Sequence, residues 1–193
     1  MSTEPVGNVK NVGGYDFGVV IAFLLPGFVF LWALLLSFPG LASWLVSPSA
    51  GSPEAVPELP SVGGFLYSAL TSLALGLILS ALRWWIIDSL LSRMGIKDPD
   101  FDFSHLKKPE AASAFRELIE NHYRYYQYYA NTLMAILAGC LLYRASGHFV
   151  PWGVYATVVF TAVVLFLGAR DALKKYYERT KQVLPVKSKE ERT

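Results

Sequence analysis

Asp98, Asp100 and Asp102 alternate along residues 97–103, a spacing that invites comparison with a calcium loop or an acidic metal-nucleotide motif. The comparison fails on chemistry. An EF-hand needs Gly at the sixth loop position and Glu at the twelfth, and Phe103 and Pro109 stand there. The segment reads as a solvated turn, with Phe101 and Phe103 as candidate docking side chains for a partner. His105, His122 and His148 share no metal-ligand spacing, and none has Glu or a second His three or four residues away. His122 falls on an apolar helical seam and is expected as a satisfied core or interface histidine. Cys140 is the single cysteine, expected as a small core residue. Tyr123, Tyr125, Tyr126, Tyr128 and Tyr129 have the rings to stack nucleotides, but they cluster where an apolar run begins, the place of an interfacial aromatic belt. No Gly-rich phosphate loop, nucleophile elbow or Cys/His nucleophile arrangement occurs, so the sequence assigns no catalytic, cofactor-binding or metal residue.

A different pattern is clearer. Gly64, Ser68, Ser72, Gly76 and Ser80 recur every fourth residue on one helical stripe. Association in lipid depends on backbone proximity, so such a stripe marks close helix packing, an oligomer contact or a pore lining. Asn131 and Thr132 are the most polar residues inside an apolar run and suit interhelical hydrogen bonding.

The elements that must carry these residues are hydrophobic. Of 193 residues, 53% are hydrophobic and only 17% charged, against about a quarter charged in ordinary soluble domains. A net charge of +2 gives no electrostatic basis for nucleic-acid binding. Between Asp16 and Arg83 the only charged residues are Glu54 and Glu58. About 20 helical residues cross a hydrocarbon core of about 30 Å. Four runs meet that length, at 17–38, 63–82, 125–143 and 149–169. The first is too long for a signal-peptide core and lacks a basic cluster before it, so it reads as a retained helix, capped by Asp16 and bent at Pro26-Gly27.

All 17 Lys and Arg residues except Arg144 fall in residues 1–16, 83–124 or 170–193, the three segments that alternate loops place on one side. The positive-inside rule makes that side cytoplasmic and puts both termini there. The external loop 39–62 is Pro-rich and irregular, and its Leu41 to Val46 stretch suits the headgroup region. Apolar residues continue at helical spacing beyond three spans. The second runs on through Ile87, Leu90, Leu91 and Met94 to Gly95, the fourth as far as Pro185, and the third is preceded by a helix starting at Pro109.

The sequence therefore predicts an all-α polytopic membrane protein: a four-transmembrane-helix bundle at 17–169, with helical cytoplasmic extensions that pack together, a cytoplasmic segment 1–16 and a basic tail 170–193. The expected function is a non-enzymatic integral subunit of the cell membrane, surrounded by lipid. It would assemble as a homo-oligomer through its spans and engage a protein partner on the cytoplasmic side, without cofactor or nucleic acid. The alternative is a homo-oligomeric channel or membrane-permeabilising effector; a membrane-embedded lipid enzyme or a transporter comes third. No span carries Asp, Glu, Lys or Arg away from its ends, which removes the usual groups of a proton relay or voltage sensor.

Overall fold

The computed structural model describes residues 18, 20–41 and 62–187. The expectations for 1–16, the Asp16 cap, nearly all of the loop 39–62 and the last residues of the tail lie outside the described residues. The fold is all-α. Among the described residues the only β contact is an isolated bridge between Phe101 and Val186.

Among the described residues four long helices carry the fold. Helix α1 is Val20–Ser37, opening with a π-helical turn at Val20–Leu24. Helix α2 covers 62–93 and is interrupted by a π turn at Trp84–Asp88. Helix α3 covers 109–145, with a π turn at Ile119–Tyr123. Helix α4 is Trp152–Val183, 32 residues and therefore about 48 Å long.

Local chemistry sets the ends. At the end of α2 the Gly95 backbone takes φ 90°, while Gly95 N donates to Ser92 O and Ile96 N to Leu91 O. These two bonds form a Schellman motif, and Ile96 folds back against the core beside Leu91. Pro109 fills the first turn of α3, where its missing N–H is no loss. Gly147, at φ 85°, makes the tight turn from α3 into α4. Pro185 follows the cap of α4. All three predicted extensions are thus helical.

The helices alternate in direction. Gly27 of α1 meets Ser72 of α2 and Gly76 meets Phe23, so these two helices are antiparallel. Asn131 meets Ala22 and Gly139 meets Ala33, so α1 and α3 are parallel. Gly168 lies against Tyr129, and Tyr176 against Tyr123, so α4 is antiparallel to α3. Helix α1 sits in the groove between α2 and α3, and α4 covers another face of α3. The core cluster runs along α3 from Tyr126 to Ala135 and reaches Leu79, Ile87 and Leu91 on α2 and Ala169, Ala172 and Leu173 on α4.

Three helices are long and apolar enough to cross a membrane: Val20–Ser37, Gly63–Arg93 and Trp152–Val183. The expected third span, 125–143, is not among them. Its helix is long enough, but Gln127, Asn131, Thr132 and a run of tyrosines dilute its hydropathy.

A Cβ on Gly27 would lie 1.7 Å from Ser72 O, and one on Gly76 would lie 2.0 Å from Phe23 O. Neither backbone oxygen can step aside without separating the helices. Gly27→Ala and Gly76→Ala are each expected to destabilise by about 2–3 kcal/mol through overpacking. Gly153→Ala, where an added Cβ would meet no atom within 4 Å beyond its own helical turn, should be neutral or slightly stabilising. Thermal unfolding in mild detergent measures all three.

Candidate functional site

The stripe on α2 divides once its neighbours are known. Ser72 and Gly76 are buried against α1, through the close approach just described. Ser68 and Ser80 are half-buried, and the Ser68 hydroxyl donates to Gly64 O within its own helix. The centre of the stripe is therefore a contact inside one chain. Asn131 makes the interhelical hydrogen bond expected of it, donating from Nδ2 to Ala22 O at 2.7 Å.

The candidate docking residues separate too. Phe101 is only 4% exposed. The chain on either side is held to the segment after α4, with Asp102 N donating to Pro185 O and Lys187 N to Asp100 O. Phe101 thus anchors the loop from inside and is not available as a docking side chain. Phe103 is 55% exposed and stands edge-on to Phe101 and Phe115. The Asp102 carboxylate accepts from Ser104 N and Ser104 Oγ, starting a 3-10 turn at Phe103–Lys107. These hydrogen bonds hold its carboxyl below the usual range. This is turn chemistry, and among the described residues no group of three His, Cys, Asp or Glu side chains gathers to hold a metal.

The sequence pattern gave no warning of the most heavily charged piece of the interior. Arg83 has a side chain only 5% exposed, at the last α-helical residue before the π turn of α2. Its guanidinium carbon lies 4.9 Å from the centre of the Tyr126 ring, and Nη1 lies 3.8 Å from Asp88 Oδ1. The Tyr126 hydroxyl donates to the same Asp88 oxygen. Residues five apart point about 140° away from each other on an α-helix of 3.6 residues per turn. The π turn, with its i→i+5 closure, is what puts Arg83 and Asp88 on one side. The available signal was two opposite charges spaced by five around Trp84-Trp85, facing a tyrosine in the α3 seam.

Beside this triad opens a cavity of about 360 Å³. Asp88 and Asp98 line it, with Tyr123, Tyr126, Tyr176 and Tyr177. Tyr123 stands 5.8 Å from Tyr126 and 5.1 Å from Tyr176, and Tyr176 stands 5.6 Å from Tyr177. Asp98 is exposed, and its partial burial, then the Asp100 charge, push its carboxyl up. Burial and the neighbouring Tyr123 push the Tyr176 hydroxyl up to about 12. At the opposite end of the bundle an apolar cavity of about 350 Å³ is lined by Ala33, Gly139, Cys140 and Val154, so Cys140 borders a void instead of filling a core.

No protein-family model, curated protein or solved structure matches the chain. Its site must therefore be judged on its own geometry.

His122 departs from the satisfied histidine expected of it. Its Nε2 is buried without a hydrogen-bond partner, in a groove between α3 and α4 that Glu117 and Arg179 also line. Burial first, then the Arg179 and Lys175 charges, opposed by Asp171, hold it below its ordinary value of 6.5. The unfolded chain therefore takes up this proton before the folded one does. The native advantage is complete above pH 6.5 and falls as the pH drops through the folded value. The thermal midpoint should decline on acidification from about pH 7 to about pH 5.5, and His122→Gln should flatten that decline.

Removing Asp88 leaves the Arg83 charge buried and unpaired. Asp88→Leu is expected to cost about 2–3 kcal/mol, less than a fully buried pair because Asp88 is 28% exposed. The double variant Arg83→Leu/Asp88→Leu should recover at least half of that. Parallel melts of both variants measure the recovery.

Proposed function

We propose that the chain is a four-span integral membrane subunit whose helical layer beyond the bilayer is a recognition platform. One observation carries this reading: the bundle is apolar on its outside as well as in its core, while several polar side chains are buried. The described interior holds Arg83, Gln127, Asn131, Thr132 and Ser72, while Trp32, Phe65, Leu70, Ile78, Phe160 and Val164 face outward, Phe160 at 71% exposure. Water would penalise those faces, and lipid would not.

Depth supports counting α3 as a span even though its own hydropathy is modest. It runs parallel to α1, with Asn131 level with Ala22 and Gly139 level with Ala33. If α1 crosses, that part of α3 lies at the same depth. A central helix surrounded by three apolar ones needs less apolar surface of its own, because its polar groups face protein. The Lys and Arg distribution puts the ends carrying Arg93, Arg116 and Arg179 on the cytoplasmic side. There Phe103 is an exposed aromatic anchor for a protein partner.

Single cysteines in a Cys140→Ser background test the fourth span, because Lys107 and Arg144 flank α3. A membrane-impermeant maleimide should label Arg144→Cys in intact cells and Lys107→Cys only after permeabilisation. Labelling of both from one side would remove α3 from the list of spans. Photo-crosslinking from position 103 in native membranes should capture a protein in proximity, and Phe103→Ala should lower its co-purification. A closed ring in nanodiscs, with ion flux in liposomes, would instead favour the channel alternative.

A further inference from the structure

We propose that the cavity between the α2 π turn and the tyrosines of α3 and α4 is a binding site for a small organic ammonium ion. This goes beyond the membrane-subunit reading and does not depend on which side of a bilayer the cavity faces.

Charge comes first. Two carboxylates, Asp88 and Asp98, line the cavity, and none of its lining residues is Lys, Arg or His. Asp88 is already balanced by Arg83 from behind and by the Tyr126 hydroxyl. Asp98 makes no ion pair or side-chain hydrogen bond among the described residues. Asp98 is exposed to solvent, so it brings the cavity one carboxylate that water screens and no base among the described residues neutralises. Its field reaches the surrounding rings: after burial, the Asp98 charge is the next cause raising Tyr177.

The rings set the class of cation. Tyr123, Tyr126, Tyr176 and Tyr177 adjoin one another at interplanar angles of 43°, 45° and 48°, so they do not stack flat; the Tyr126 ring already carries the Arg83 guanidinium, which leaves the half-buried rings of Tyr123, Tyr176 and Tyr177 for a ligand. Electron-rich faces around one carboxylate suit a charge spread over carbon-bound hydrogens, as in an alkylated ammonium. A calcium or magnesium ion would need about six oxygen ligands and would find mostly rings. A volume of about 360 Å³ accommodates a choline-sized molecule and lies within the range of small-ligand pockets. An anion would meet Asp98 with no base to offset it.

The ammonium group has two sources, a lipid headgroup or a soluble amine. The full chain in nanodiscs of phosphatidylglycerol, titrated calorimetrically with choline and tetramethylammonium, should bind both saturably. The uncharged isostere 3,3-dimethylbutanol should bind at least about tenfold more weakly. Asp98→Asn should weaken choline by about tenfold or more. Tyr177→Phe, which keeps the ring face, should retain binding; Tyr177→Leu, which removes it, should lose about fivefold or more. That contrast keeps the test valid if Asp98→Asn folds poorly, and unchanged melting accompanies each variant counted.

Repeating the titration in phosphatidylcholine nanodiscs separates the sources. A weaker apparent affinity there identifies a headgroup competing for the site, and an equal affinity identifies a soluble amine; either supports an ammonium site. Equal affinity for choline and its neutral isostere, no effect of Asp98→Asn in a folded protein, or no saturation by either cation would overturn it.

Discussion

Backbone contact between α1 and α2 is the constraint on which the other packing rests. Gly27 and Gly76 each present bare backbone to a carbonyl of the facing helix, at separations no side chain permits. This draws α1 deep into the groove between α2 and α3, where Gly139 makes room for Ala33 in the same way. At that depth Ala22 brings its carbonyl to Asn131 Nδ2. The small residues thus do more than save space. They fix the height of α1 along α3, and so determine which polar group on the central helix finds a partner.

The π turns act as the complementary device. Each adds a residue to a helical turn and rotates the rest of its helix about the axis. The turn at Val20–Leu24 contains both Ala22 and Phe23, whose carbonyls face Asn131 and Gly76. The turn at Trp84–Asp88 aligns Arg83 with Asp88. The turn at Ile119–Tyr123 precedes the stretch in which α3 becomes the core of the bundle. A strict 3.6-residue repeat through α2 would carry Asp88 round to another face and leave Arg83 buried without its counter-charge. The cavity would then lose one of its two acids.

Much of this architecture is legible in the sequence because it depends on local chemistry. Gly95, Pro109 and Pro185 mark helix boundaries that the structure keeps, since positive φ and a missing N–H act wherever they occur. The stripe announces close packing, because only small side chains allow it. The illegible features depend on one-residue shifts or on distant partners. The π turns leave no composition signal. Phe101 looks like an exposed aromatic in an acidic loop until residues 185–187 return from the end of α4 to clamp it. Arg83 looks like an interfacial base until Tyr126 is placed beneath it. The cavity tyrosines come from two helices separated by the whole of the α3–α4 hairpin, so no local motif joins them.

That hairpin also shows why the least apolar long helix is the central one. Polar side chains on an outer helix would face lipid in the four-span reading, at a cost of several kcal/mol for each unsatisfied group. Placed on α3, Asn131 reaches a carbonyl of α1, and Gln127 accepts from Arg124 at 3.1 Å. The outer helices then need only apolar outward faces and small inward ones, which is the composition of α1 and α2. From Ala130 and Leu133 to Tyr123 and Tyr126 on α3, and from Ala169 and Leu173 to Tyr176 and Tyr177 on α4, the inward positions change from Ala and Leu to Tyr. Rings with hydroxyls pack against one another and still tolerate a neighbouring carboxylate, so the same helical faces that close the core along α3 open, towards Tyr123 and Tyr176, into a pocket that two carboxylates line.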